Sequence, residues 1–324
     1  MNWFSFNFHD ISFSFLSILF EGIPFLLLGS ILSGIVDSFV PAKTITRFLP
    51  KNENIAIPVC GLLGLIFPMC ECGSVMVVRR LIKKGLPVSY AATYMLAAPI
   101  VNPVVALSTF AAFNRQSPWV MTSLRLTLGF LISVAVGYLI RLVPPAALLQ
   151  KSVFDSIPGR RRTAFRMSTG ALPGDGGDLQ GTMDEPDGSF RRKVLGAVRS
   201  AASDFLDVAF LLVIGAATAS VFNTAVKQAV ILPLATNPAL STCMMMVLAF
   251  MLALCSTSDA FIAASFVAFP FVSKLAFLVF GAMFDIKLYF LYGLVFKRRY
   301  VIALLIGLFV VIGIICVRMS VLNL

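Results

Sequence analysis

The chain has 324 residues, 59% of them hydrophobic and only 13% charged, with a mean hydropathy of +0.93. A soluble domain carries about 25% charged residues, so this chain cannot cover a soluble surface and its solvent is a bilayer. The net charge of +11 lies in short Lys/Arg clusters at the ends of apolar runs, a topology pattern that excludes nucleic acid as a partner and leaves membrane lipids facing that charge.

The apolar runs are about as long as a bilayer core is thick, and they place membrane spans at 11–36, 55–78, 87–113, 119–142, 205–225, 240–269, 272–296 and 301–317. The expected fold is all-α: a polytopic membrane protein of about eight transmembrane helices, because backbone in lipid must satisfy its own hydrogen bonds. The first run has no basic stretch before it and no small-residue cleavage site after it, so it reads as a retained helix rather than a signal peptide. His9 precedes it as a solvated residue, Glu21 lies within it, and Ser30 and Gly34 stand at a helix-packing spacing.

The second run contains the strongest local signal, Phe67-Pro68-Met69-Cys70-Glu71-Cys72-Gly73. Pro68 removes a helical hydrogen bond and Gly73 permits unusual dihedrals, so the helix should be broken or re-entrant here. Residues i and i+2 diverge on a helix and converge on extended backbone, so a break lets Cys70 and Cys72 face one ligand. Thiols suit soft ions rather than magnesium or calcium, and a carboxylate held in the membrane interior is functional by default, which makes Glu71 a coupling candidate. The third run carries Ala98-Pro99-Ile100-Val101-Asn102-Pro103, with Pro99 and Asn102 as helix-break and cavity candidates.

A polar segment, 144–199, follows the fourth run, with Arg160-Arg161-Arg162 and Arg191-Arg192-Lys193 toward its ends and a Gly/Asp-rich middle. It reads as a cytoplasmic linker, largely disordered, separating a first transmembrane repeat, 1–143, from a second, 200–324. The repeat rests on one register. Phe20-Glu21-Gly22 and Phe205-Leu206-Asp207 are 205 − 20 = 185 residues apart, and the same shift carries Cys70-Glu71-Cys72 onto Cys255-Ser256-Thr257. The sixth run is accordingly the second expected break. Ser256 and Ser258 read there as helix N-caps, Cys255 as a candidate third sulfur, and Asp259 as a second coupling candidate. Asp285 and Lys287 read as a mutual structural or near-interface pair, with Asp285 also a helix-break and cavity candidate, and Cys60, Cys243 and Cys316 as small buried hydrophobes. Gly215 and Ala219 repeat the packing spacing of Ser30 and Gly34. Eight simple spans with a cytoplasmic linker would put Lys297-Arg298-Arg299 outside, against the positive-inside tendency, and parallel and inverted repeats both stay open.

Together Pro68-Met69-Cys70-Glu71-Cys72-Gly73, Lys84-Gly85-Leu86-Pro87, Ala97 to Pro103, Cys255 to Phe261 and Gly281 to Lys287 resemble the broad family of predicted bacterial permeases that includes the organoarsenical efflux permeases. The resemblance implies an eight-helix permease of the inner (plasma) membrane, and for the arsenical members export of a trivalent organoarsenical through cysteine thiols, here Cys70 and Cys72. The leading expectation is therefore a secondary transporter of a small thiophilic solute, not an enzyme, with no cofactor and no resident metal. No phosphate-binding loop of the G-x-x-x-x-G-K-[ST] kind occurs, so ATP-driven work would need a partner. The alternatives are a metal-ion permease subunit acting with a partner protein or as a homo-oligomer, a channel or scaffold subunit, and a membrane thiol oxidoreductase, against which the C-x-C spacing counts.

Overall fold

A computed structural model describes residues 8–39, 52–66, 69–155, 190–225 and 238–321. Pro68 and the middle of the linker lie outside the described residues. Among the described residues the first half has six helices: α1 Phe8–Phe39, α2 Glu53–Ile66, α3 Glu71–Lys83, α4 Val88–Ala97, α5 Pro103–Ala112 and α6 Pro118–Arg141. The second half has α7 Phe190–Ala225, α8 Pro238–Leu252, α9 Asp259–Ser265, α10 Phe271–Met283, α11 Ile286–Tyr292 and α12 Arg298–Val321. The order is the same in both halves, and α8 starts 238 − 53 = 185 residues after α2. Helix α7 begins at Phe190, inside the segment read from composition as linker. Described residues form an all-α chain with five helices long and apolar enough to cross a membrane, plus shorter apolar helices at 54–66, 103–112 and 239–252.

Both expected breaks are present, after Ile66 and after Leu252. Two further breaks interrupt runs that hydropathy reads as continuous. In the third run the helix stops at Ala97, and Asn102 restarts it by accepting a hydrogen bond from the Val104 amide at 2.9 Å. In the seventh, Asp285 caps α11 by accepting from the Leu288 amide at 2.7 Å. Short polar side chains satisfy the orphan amides of a new helix start, so a break can sit inside an apolar run at little cost.

Side-chain neighbours give the direction of each piece. Gly129 lies against Ile100, and Gly137 against Thr93 and Ile57, while the Tyr138 hydroxyl donates to the Asn54 carbonyl at 2.7 Å. Helix α6 therefore runs antiparallel to both α2 and α4, which are parallel to one another. The tight turn at Gly85, whose φ of +98° suits only glycine, reverses α3 against α4, and the Ser74 hydroxyl reaches the Met95 carbonyl at 3.4 Å. Helices α2 and α3 thus run in opposite directions, and the chain turns back between them. The second half does the same. Ser241 of α8 bonds Ser273 of α10 at 3.0 Å, Ala249 of α8 faces Gly281 of α10, and α9 reverses into α10 across the turn at 266–270.

Each half therefore crosses three times, by its first helix, its broken fourth-and-fifth pair and its last helix, while its second and third helices form a re-entrant hairpin. An odd number of crossings inverts the second half relative to the first. The conflict over Lys297-Arg298-Arg299 disappears. Leu149 pairs antiparallel with Phe296, and the Gln150 amide donates to the Val295 carbonyl at 3.0 Å, so this basic cluster lies on the linker side. On the opposite side Lys274 donates to Gln116 at 2.8 Å. In an otherwise cysteine-free chain, single cysteines at Gly176 and Arg299 should resist an impermeant maleimide in intact cells, while one at Asn114 reacts. Labelling at Arg299 would refute the inversion.

Helices α4 and α10 occupy equivalent places and are buried almost throughout, as apolar helices without a polar face must be. The long helices form the rim and turn Phe13, Phe20, Leu131, Leu206, Phe210 and Ile314 outward. Helix α1 lies antiparallel along α7, with Gly34 against Ala197 and Gly22 against Leu212.

Candidate functional site

The tips of the two hairpins meet in the middle of the molecule. The Ser256 hydroxyl donates to Glu71 Oε2 at 3.2 Å, and these two residues are related by the 185-residue register of the repeat. The two halves thus present a carboxylate and a hydroxyl to each other where they touch.

Glu71 begins α3 and is 2% exposed. Its Oε1 accepts from Lys287 Nζ at 3.1 Å, and that ammonium also donates to the Leu254 carbonyl at 3.2 Å and stands 3.4 Å from Asp285 Oδ2. Asp285 and Lys287 are paired, but Lys287 is also shared with Glu71 from the other half. The shared lysine is held by close backbone approach: a methyl at Gly215 of α7 would stand 2.8 Å from Lys287 Cβ. In the first half, a methyl at Gly29 of α1 would stand 2.7 Å from the Gly73 Cα of α3.

A second ion pair joins the halves beside the first. Arg125 Nη2 donates to both oxygens of Asp259, at 3.0 and 2.8 Å, and to the Ser256 carbonyl at 2.9 Å, while Nη1 donates to Thr109 at 2.8 Å. Arg125 is 1% exposed. The sequence reading missed it, although a lone arginine in the middle of an apolar run is a usable signal of a buried partner. Further acceptors for the guanidinium, here the Ser256 carbonyl and Thr109, are what help a buried pair offset its desolvation.

A cavity of about 20 Å³ lies between the hairpin tips and the α1–α7 pair, lined by Cys70, Glu71, Cys72, Cys255 and Lys287 with Ile18, Gly22, Leu212 and Ala253. Its volume is about that of one water. The three candidate sulfurs thus border one space. Cys70 caps α3 from extended backbone at φ −71° and ψ 165°, its sulfur accepting from the Gly73 amide at 3.3 Å. Thr257 donates to the Cys255 sulfur at 3.6 Å. All six cysteines are free, and among the described residues no three His, Cys, Asp or Glu side chains are grouped to hold a metal ion.

The remaining expected residues fall into place or move. Ser256 does not cap α9, because its hydroxyl is spent on Glu71, and Ser258 precedes α9 without a side-chain cap bond. Asp259 is turned to Arg125 rather than to the thiols and is not among the cavity-lining residues. Pro99 and Asn102 are buried in the break before α5, also off the cavity. Cys60 and Cys316 are buried as expected, whereas Cys243 is exposed on the outer face of α8. His9 is exposed. Glu21 and Asp207 sit on α1 and α7, and their side chains lie outside the described residues.

Residues 7–321 match a family model, ArsP_1, described as a predicted permease. The UPF0718 protein YcgR of Bacillus subtilis is 36% identical over 307 residues, covering 94% of this chain and 95% of that protein. A Streptococcus mutans protein named "Putative two-component membrane permease complex subunit" is 30% identical over 289 residues, covering 89% of this chain and 87% of that protein. No solved structure matches the chain. A multi-pass helical bundle with polar groups buried where its halves meet is what a permease requires, and with the match across nearly its whole length the chain belongs to the predicted permease family.

Proposed function

We propose that this permease works as a secondary exporter of the inner (plasma) membrane, taking a small thiophilic solute such as a trivalent organoarsenical through Cys70 and Cys72, with Cys255 approaching from the other half. The observation that carries this reading is the cavity itself: sulfurs from both hairpins border one space with a carboxylate and an ammonium at membrane depth. A singly substituted trivalent arsenical has two exchangeable positions. It needs two thiols and releases two waters as two As–S bonds replace two As–O bonds. Two convergent sulfurs therefore suffice where a metal ion would want three or four ligands.

The test is uptake of phenylarsine oxide into everted vesicles. Cys70→Ser and Cys72→Ser each exchange a soft donor for a hard one at nearly constant size, so uptake should be lost while the protein still folds. Cys60→Ser, Cys243→Ser and Cys316→Ser should transport normally. Full-rate transport by the first two variants would end the thiophilic reading.

A second reading draws on the Streptococcus mutans relative, whose name places it in a two-component complex: this chain would be the membrane subunit and a partner protein the second component. Purification from its own host in mild detergent distinguishes the two, since a stoichiometric second polypeptide is expected only under the second reading.

A further inference from the structure

Charge does not balance around the site. Among the described residues, three carboxylates, Glu71, Asp259 and Asp285, face two cations, Arg125 and Lys287, and none of the five is more than 4% exposed. Arg125 and Asp259 close on each other, Nη2 donating to both carboxylate oxygens. Lys287 is left with two carboxylates. Glu71 is the better served, hydrogen-bonded by Lys287 and by Ser256. Asp285 uses one oxygen to cap α11, while its Oδ2, fully buried and 3.4 Å from Lys287 Nζ, makes no hydrogen bond.

Capping does not explain the charge of Asp285. In the first half the same place, one residue before the helix that follows the break, is held by Asn102, and its amide oxygen does the same work. Asn and Asp cap equally well, so the negative charge at 285 needs a separate reason. An uncompensated carboxylate in a protein interior is costly and is relieved by taking up a proton or a cation. A metal cation is disfavoured, because the Lys287 ammonium occupies the near side of Oδ2 and no metal-holding group of side chains is present among the described residues.

We propose that Asp285 Oδ2 is the proton-binding site of this permease, with Lys287 passing its attraction between Glu71 and Asp285 as the proton comes and goes. With the proton on, Lys287 belongs to Glu71. With it off, the ammonium is drawn toward Asp285 and Glu71 is released toward the thiol-lined cavity, which links proton movement to the solute site. The titratable groups facing Asp285 among the described residues are Lys287 and Tyr292 of the helix it caps, and Glu71 and Cys72 of α3. The Tyr292 hydroxyl donates to the Met283 carbonyl and is not free to supply Oδ2. This assignment rests on the permease reading for its purpose, but not on the identity of the solute.

Infrared difference spectra of the full chain in lipid vesicles, recorded across a pH titration, test it. The wild type should show a carbonyl band from a buried protonated carboxylic acid. The band should shift when aspartate is labelled with carbon-13 at its side-chain carboxyl, persist in Asp259→Asn, and be lost in Asp285→Asn, a variant that keeps the helix cap as Asn102 does. Absence of the band from the wild type, survival of it in Asp285→Asn, or failure to shift with labelled aspartate would overturn the assignment. Cys70→Ser should leave the band in place. Loss of arsenical binding and loss of the proton site are therefore read independently, and either can fail alone.

Discussion

Arg125→Met should destabilise the folded chain by about 3–5 kcal/mol, the cost of leaving a buried charge without its partner, read as a large fall in the thermal midpoint of the purified protein in detergent. Arg125 donates to Asp259, to the Ser256 carbonyl and to Thr109, so its loss strands a carboxylate and two further acceptors at the hairpin tip. Adding Asp259→Leu removes the stranded charge and should recover most of the loss. Arg125→Lys should fall between, because one ammonium cannot serve Asp259, the Ser256 carbonyl and Thr109 as the two guanidinium nitrogens do. If the single and double variants melt at the same temperature, the pair is not a unit and the coupling inferred from its geometry is absent.

Lys287→Met should be as severe, again about 3–5 kcal/mol, and should also abolish transport. It leaves Glu71 and Asp285 without their shared cation, next to a helix contact that Gly215 keeps close. The double variant Lys287→Met/Glu71→Gln keeps a side chain able to accept from Ser256 and removes one stranded charge, so the thermal midpoint should rise again. Transport should not return. Recovery of gradient-driven transport together with stability would show that the Glu71–Lys287 pair serves the fold alone.

Much of the architecture was legible because its causes are local. Hydropathy runs of bilayer length and the Pro68 and Ser256 interruptions can each be read within one window of chain, the 185-residue register needs only a comparison of two such windows, and the structure has helices and breaks where the second and sixth runs required them. The breaks before α5 and α11 are only half legible: Pro99, Asn102 and Asp285 stand out as helix-break or cavity candidates, but hydropathy reads the runs around them as single spans. A helix start inside an apolar run depends on whether a cap finds its amide, which hydropathy does not weigh.

The amino-acid sequence by itself determined the solvent, the class of fold, the eight apolar segments and the cysteines and carboxylate that border the cavity. Only the tertiary structure decided which charges meet. Glu71 and Lys287 are 216 residues apart, Arg125 and Asp259 are 134 apart, and nothing in either neighbourhood names the other. It also decided that the hairpins turn back rather than cross, and hence that the halves are inverted. Direction is a relation between packed helices, set by Gly61, Gly64, Gly129 and Gly137 letting distant backbones and side chains come close. A low-dielectric interior then makes each such meeting of charges strong enough to matter, which is why the chemistry of this chain lies in contacts that its linear order does not show.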